Sequence, residues 1–174
     1  MSNIPLAYRA FFLYIEPLSA LAGAYFSIFE PHQYLKDLLW PSSLPSPDVM
    51  MNTVPPPHHT VTTSLAQLGN LYLLFALNEH FVLSSTPSLR VWKRLLACLL
   101  VADIGHLATV VFGMPGSSFW DMRKLDVLWQ VAGWNAMMWG SVGFVHLGAT
   151  MRICFLCDVG LQEAKRGQRK KLKT

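Results

Sequence analysis

Tyr8-Arg-Ala-Phe-Phe-Leu-Tyr-Ile-Glu-Pro-Leu-Ser-Ala-Leu-Ala-Gly-Ala-Tyr-Phe-Ser-Ile-Phe29 is the stretch that decides the fold. It is apolar along nearly its whole length, with Arg9 at its edge and one carboxylate, Glu16, inside it. As a helix rising about 1.5 Å per residue it matches the roughly 30 Å hydrocarbon layer of a bilayer. Three further apolar stretches follow, over 61–83, 89–112 and 125–153. Each again carries polar groups where a span is ordinarily bare: Glu79 in the second, Asp103 with His106 in the third, Asn135 in the fourth. On insertion scales an ionised side chain at mid-bilayer costs about 2.5–3.5 kcal/mol, so such groups face a bundle interior.

Composition agrees. Of 174 residues, 52% are hydrophobic and 14% charged, against about 25% charged in soluble domains. The expectation is an all-α integral membrane four-helix bundle, a membrane domain over 1–153 followed by a basic tail over 154–174. The net charge of +4 does not mark a nucleic-acid binder. Its excess lies in the last ten residues, and no basic patch interleaved with aromatics occurs elsewhere.

Pro17 interrupts the first span, but a neighbouring helix can satisfy the carbonyl a proline frees, so a kink is expected rather than a break. Residues 30–60, with seven prolines, read as a loop containing a short interfacial turn around 34–40. Ser84-Ser-Thr-Pro87 stops the second span and Gly113-Met-Pro-Gly116 the third. No cleavable leader is read, and the first span serves as the insertion signal.

Lysine and arginine set the orientation. One side receives Arg9, Arg90, Lys93, Arg94, Arg152 and the six basic residues of the tail; the other receives Lys36, Arg123 and Lys124. The positive-inside rule therefore puts both termini in the cytosol. Trp40 and Trp120 fall where an aromatic belt would lie. Lys170-Lys-Leu-Lys-Thr174 is similar to a di-lysine endoplasmic-reticulum retrieval signal, one position out of register; the favoured reading is plain cytosolic flank charge attracted to anionic lipid. Cys98, Cys154 and Cys157 form no disulfide framework. The Cys154-x-x-Cys157 pair reads as small residues at a helix end or as a juxtamembrane acylation site.

Helical spacing groups the polar residues. Glu16 shares a face with Ala20, Gly23 and Ser27, with Arg9 as charge partner two turns back. Asp103 and His106 are neighbours at i, i+3, a pairing able to share a proton. Gln67, Asn70 and Asn78 lie on one face of the second span, and Glu79 about 100° round from it, nearer the cytosolic end. Asn135, Trp139 and His146 fall on one side of the fourth span. Each group also has a plain reading, as interhelical hydrogen bonding worth about 0.6 kcal/mol per contact.

Six scattered histidines supply no di-iron ligand set, and no diphosphate–magnesium, G-x-S-x-G, H-E-x-x-H or phosphate-loop motif is present. No metal or cofactor is expected. The motifs Phe12-Leu-Tyr-Ile-Glu16-Pro17, Gln67-Leu-Gly-Asn70-Leu-Tyr72-Leu-Leu-Phe75-Ala-Leu-Asn78-Glu79 and Ala102-Asp103-Ile-Gly-His106-Leu resemble those of small, mostly fungal, four-helix membrane proteins whose domain has no assigned function. That resemblance implies topology and organism class. A looser likeness runs to the emopamil-binding-protein superfamily and to fungal membrane terpene cyclases, in which buried acids protonate an alkene or epoxide.

Together these readings give a membrane-embedded acid–base enzyme, an isomerase or protonation-initiated cyclase, acting on a lipophilic isoprenoid or related secondary metabolite. Glu16 or Asp103 is the proton donor and His106 tunes or reloads Asp103. Tyr14, Asn70, Glu79 and Asn135 contact the substrate, while Trp134 and Trp139 shield developing positive charge. The partners expected are a lipophilic small molecule and membrane lipid, with a homo-oligomer or companion membrane enzymes as further associations. The alternative is a non-enzymatic lipid- or sterol-binding or scaffold protein.

Overall fold

The computed structural model describes residues 4–38, 58–112, 131 and 134–161; among these the regular structure is helical throughout, with no strand. Helix α1 spans Leu6–Phe29 and contains a wide π turn at Phe11–Ile15 immediately before Glu16 and Pro17. The Glu16 N–H bonds back to the Phe11 carbonyl, and Pro17 has no N–H to offer Leu13. The π turn takes up this defect, and the Leu13 carbonyl receives Nδ1–H of His80 instead, at 2.7 Å. The helix therefore runs on through its proline.

Helix α2 covers Pro31–Leu38, a two-turn helix where a short turn was expected. Helix α3 runs His59–Ser85, with the His58 side chain accepting from the Thr60 N–H at its start. Helix α4 runs Leu89–Phe112. Helix α5 is built from Ala136–Met138, a π segment Trp139–Gly143, and Phe144–Leu156. The expected fourth span, 125–153, is thus helical over 136–156 within the described residues. Asn135 is its N-cap, accepting from the Met138 N–H at 2.8 Å. The aromatic belt positions Trp40 and Trp120, and the tail beyond Leu161, lie outside the described residues.

Helices α1 and α3 pack antiparallel along a seam of Leu65, Gly69, Tyr72, Ala76, Glu79 and Leu83, steps of four and three that keep one stripe facing a partner helix. Small residues let the backbones approach. A Cβ on Gly69 would lie 2.6 Å from Ser27 Oγ, and one on Gly23 would touch the Tyr72 ring at 3.4 Å. At the end shared by Leu6 and Ser85, Tyr8, Phe11, Phe12, Leu83, Trp92, Leu96 and Phe155 form the main core. The Tyr8 hydroxyl donates to the Val159 carbonyl at 3.0 Å and closes α5 onto α1.

That end of α5 finishes in a Schellman turn: the Val159 N–H bonds the Cys154 carbonyl and the Asp158 N–H bonds that of Phe155. Asp158 occupies the left-handed region at φ 61°, where glycine is the usual residue. Its carboxylate meets Lys93 Nζ of α4 at 2.7 Å. Among the described residues two helices, α1 and α3, are long and apolar enough to cross a membrane.

Candidate functional site

Arg152, on the inner face of α5, has no exposed surface. Its guanidinium is the meeting point of three other helices. Nη1 donates to Asp103 Oδ2 of α4 at 2.6 Å. Nη2 donates to Glu16 Oε1 of α1 at 2.7 Å and to Glu79 Oε1 of α3 at 3.3 Å. The Phe12 and Phe75 rings each lie 5.7 Å from the guanidinium carbon, so the cation has π faces as well as carboxylates around it. Gly148, one turn before Arg152, leaves the space the cluster fills. A Cβ there would stand 2.7 Å from Glu16 Oε1 and 2.8 Å from Arg152 Nη1.

The arrangement is asymmetric in charge: three carboxylates converge on one guanidinium. Glu16 Oε2, Glu79 Oε2 and Arg152 Nε are buried without a hydrogen-bond partner, in an interior where an unsatisfied polar atom costs about 1–3 kcal/mol. The centre among the acids is held by the arginine, and among the described residues no group of His, Cys, Asp or Glu is placed to hold a metal ion.

Glu16 and Asp103 come together as the two principal acids, through Arg152 rather than directly. Arg9, expected to pair with Glu16, is exposed; the charge partner is Arg152, which the charge count assigned to the cytosolic flank. Helix α5 continues to Leu156, which turns Arg152 from a flank into an interior residue. Glu79 belongs fully to the cluster and is completely buried. His106 is not bonded to Asp103: it engages the Ser141 backbone and its Nε2 is buried without a partner. The Asp103–His106 pairing inferred from i, i+3 spacing is therefore not made in this structure.

The remaining residues lie away from the cluster. Asn70, with Gln67 and Asn78, is exposed, because the Gly69–Ala76–Glu79 seam turns the amide face of α3 outward. Asn135 Nδ2 donates to the Asp37 carbonyl at 2.7 Å, tying α5 to α2. Trp134 and Trp139 meet edge to face at 5.1 Å. Trp139 is separated from Arg152 by 13 residues of helix, about 20 Å along the axis. Tyr14 faces outward, its ring against His80 at 5.8 Å. On α2, Tyr34 is buried and its hydroxyl lies 3.2 Å from that of Tyr72. Burial pushes the Tyr34 phenol above its ordinary value of 10.0, opposed in part by that hydrogen bond.

The DUF7704 family, a domain of unknown function, matches residues 1–162. The chain belongs to this family. The matched region contains Glu16, Glu79, Asp103 and Arg152, so the whole cluster lies within the family's domain. No curated protein and no solved structure matches the chain.

Proposed function

We propose that this protein is a membrane-embedded acid–base enzyme, an isomerase or protonation-initiated cyclase, acting on a lipophilic isoprenoid or related metabolite. One observation carries the reading: Glu16, Glu79 and Asp103 outnumber the single guanidinium that binds them, and the Glu16 and Glu79 carboxyl groups lie within hydrogen-bond reach of each other, with no other donor to Glu16 Oε2 or Glu79 Oε2. A purely structural ion lock needs no surplus of acid. In the proposed chemistry a carboxyl group of the cluster gives its proton to an alkene carbon or an epoxide oxygen of the substrate, and a neighbouring carboxylate takes a proton from the resulting cation. Arg152 fixes both groups and compensates the charge left behind.

Around that site four spans, α1, α3, α4 and α5, cross an endoplasmic-reticulum membrane with both termini in the cytosol. The apolar lengths of α1 and α3 support this placement, as do the tail lysines. The likeness to membrane isomerases and cyclases that use buried acids belongs to the same proposal.

A second reading rests on the closure of the cluster. Arg152 and Glu79 have side chains with no exposed surface, as a lock inside a lipid-binding or scaffold protein would. The two readings separate on neutral isosteres. Glu16→Gln and Asp103→Asn keep side-chain shape, and even together they leave Glu79 to bind the cation, so the variants are expected to fold. Lipid extracts of cells lacking the gene are compared with those of cells expressing the double variant. The enzyme reading requires both to lose the same product, and full product from a double variant that reaches the membrane overturns it.

A further inference from the structure

Outside the charge cluster, on the far side of the α1–α3 seam, lies a cleft of about 280 Å³. Its walls are apolar: Leu13, Pro17, Leu18 and Leu21 from α1, Ala76 and Leu77 from α3. His80 and the largely exposed Tyr14 supply the polar groups of this lining. Its Nδ1 is committed, because the Leu13 carbonyl only accepts and the contact at 2.7 Å therefore carries the proton on Nδ1. In the neutral ring Nε2 is then an acceptor. It has no partner among the described residues and is not enclosed.

Polarity is ordered along the cleft. His80 lies five residues from the end of α3, about 8 Å, whereas Leu21 on the antiparallel α1 lies fifteen residues from its start, about 22 Å. The cleft thus runs from the neighbouring polar side chains His80 and Tyr14 near the helix ends to bare hydrocarbon at mid-helix. Leu18 and Phe81 on its rim are more than 60% exposed, so it opens sideways, toward the surroundings of the helices.

We propose that this cleft binds a membrane lipophile bearing a single hydroxyl group, a long-chain or isoprenoid alcohol, whose O–H donates to His80 Nε2 while its chain lies along Pro17, Leu18 and Leu21. Pro17 sets the specificity at one remove: by freeing the Leu13 carbonyl it fixes the histidine tautomer and so selects a donor. An ether or ester of the same chain presents lone pairs to the Nε2 lone pair and binds more weakly. The site is distinct from the acid cluster, and its test requires no turnover.

The test is photolabelling of the full-length protein in phospholipid nanodiscs with farnesol carrying a diazirine, competed by unmodified farnesol or by farnesyl methyl ether. Farnesol is expected to compete about five- to tenfold better than the ether, the ratio that one neutral hydrogen bond supplies. Labelled peptides should come from the cleft walls of α1 and α3. Leu18→Trp, which fills the cleft from an exposed position, should abolish that labelling. His80→Phe should remove the alcohol–ether difference. Equal competition by alcohol and ether in the unmodified protein overturns the proposal, as does labelling indifferent to Leu18→Trp. Cross-linking of one copy to another through the same residues overturns it in favour of a helix–helix interface.

Discussion

His80 Nδ1 and the Leu13 carbonyl meet at 2.7 Å, across two helices and at the acceptor that Pro17 leaves without a backbone donor. A defect within α1 is thus corrected by α3, and the two changes that disturb it are coupled. His80→Phe is expected to cost about 1–3 kcal/mol, the penalty of an unsatisfied buried carbonyl. In a Pro17→Ala background the new N–H can serve Leu13, and the same substitution should cost measurably less. Denaturant unfolding of the four proteins in one detergent gives the coupling; a coupling of zero would show that Leu13 finds another donor.

Arg152 is expected to be the most sensitive position of the chain. Arg152→Met leaves three buried carboxylates without a cation, and breaking a buried pair from one side costs about 3–5 kcal/mol. Arg152→Lys should recover little, since one ammonium cannot reproduce two donor nitrogens directed at three helices. Combining Arg152→Met with Glu16→Gln, Glu79→Gln and Asp103→Asn should restore most of the lost stability. Thermal unfolding in detergent reads all three.

Glycine substitutions separate space from helix propensity. Gly148→Ala drives a methyl group into Glu16 and Arg152 and is expected to cost about 1–3 kcal/mol, the range for overpacked cores. Gly105 lies inside α4, where an added methyl group would meet nothing within 4 Å, so Gly105→Ala should stabilise by about 0.5–1 kcal/mol. The opposite signs are the prediction, read from paired unfolding curves.

Tyr34 gives a pH dependence with a definite sign. Its phenol is held above the ordinary value of 10.0 by burial. Below pH 10 it is protonated in folded and unfolded chains alike, so it adds no slope. Above pH 10 the unfolded chain releases the proton first and stability falls as pH rises. Tyr34→Phe should remove that part of the alkaline slope, while costing about 1 kcal/mol at neutral pH for the lost Tyr72 contact. Stability measured from pH 8 to 11 on both proteins checks it.

The first three long helices were legible in the sequence because hydrophobic runs ending in helix-stop residues leave little freedom. The expected 8–29, 61–83 and 89–112 became Leu6–Phe29, His59–Ser85 and Leu89–Phe112. The inward turn of Glu16 was legible too, from the small residues Gly23 and Ser27 beside it. Arg152 was not, since a charge near the end of an apolar run looks the same whether it meets water or a guanidinium-binding interior. The orientation of α3 was misread for a related reason. Three amides drew attention to their own face, whereas the four–three spacing of Leu65, Gly69, Tyr72, Ala76, Glu79 and Leu83 was the informative pattern. His106 shows the limit of spacing arguments: i, i+3 proximity to Asp103 did not compete with an arginine reaching from another helix.

The position of Arg152 in the chain also orders events in time. Glu16, Glu79 and Asp103 are all synthesised before the one cation that joins them, and the arginine follows the last of these acids by 49 positions. A growing chain therefore holds unmatched acids from Glu16 onward, all three of them from Asp103 until Arg152 is made, and its helices acquire a common centre only when the last of them emerges. Quality control that senses unpaired charge would see every nascent copy as unfinished until that moment, and every copy truncated before residue 152 as unfinished for good.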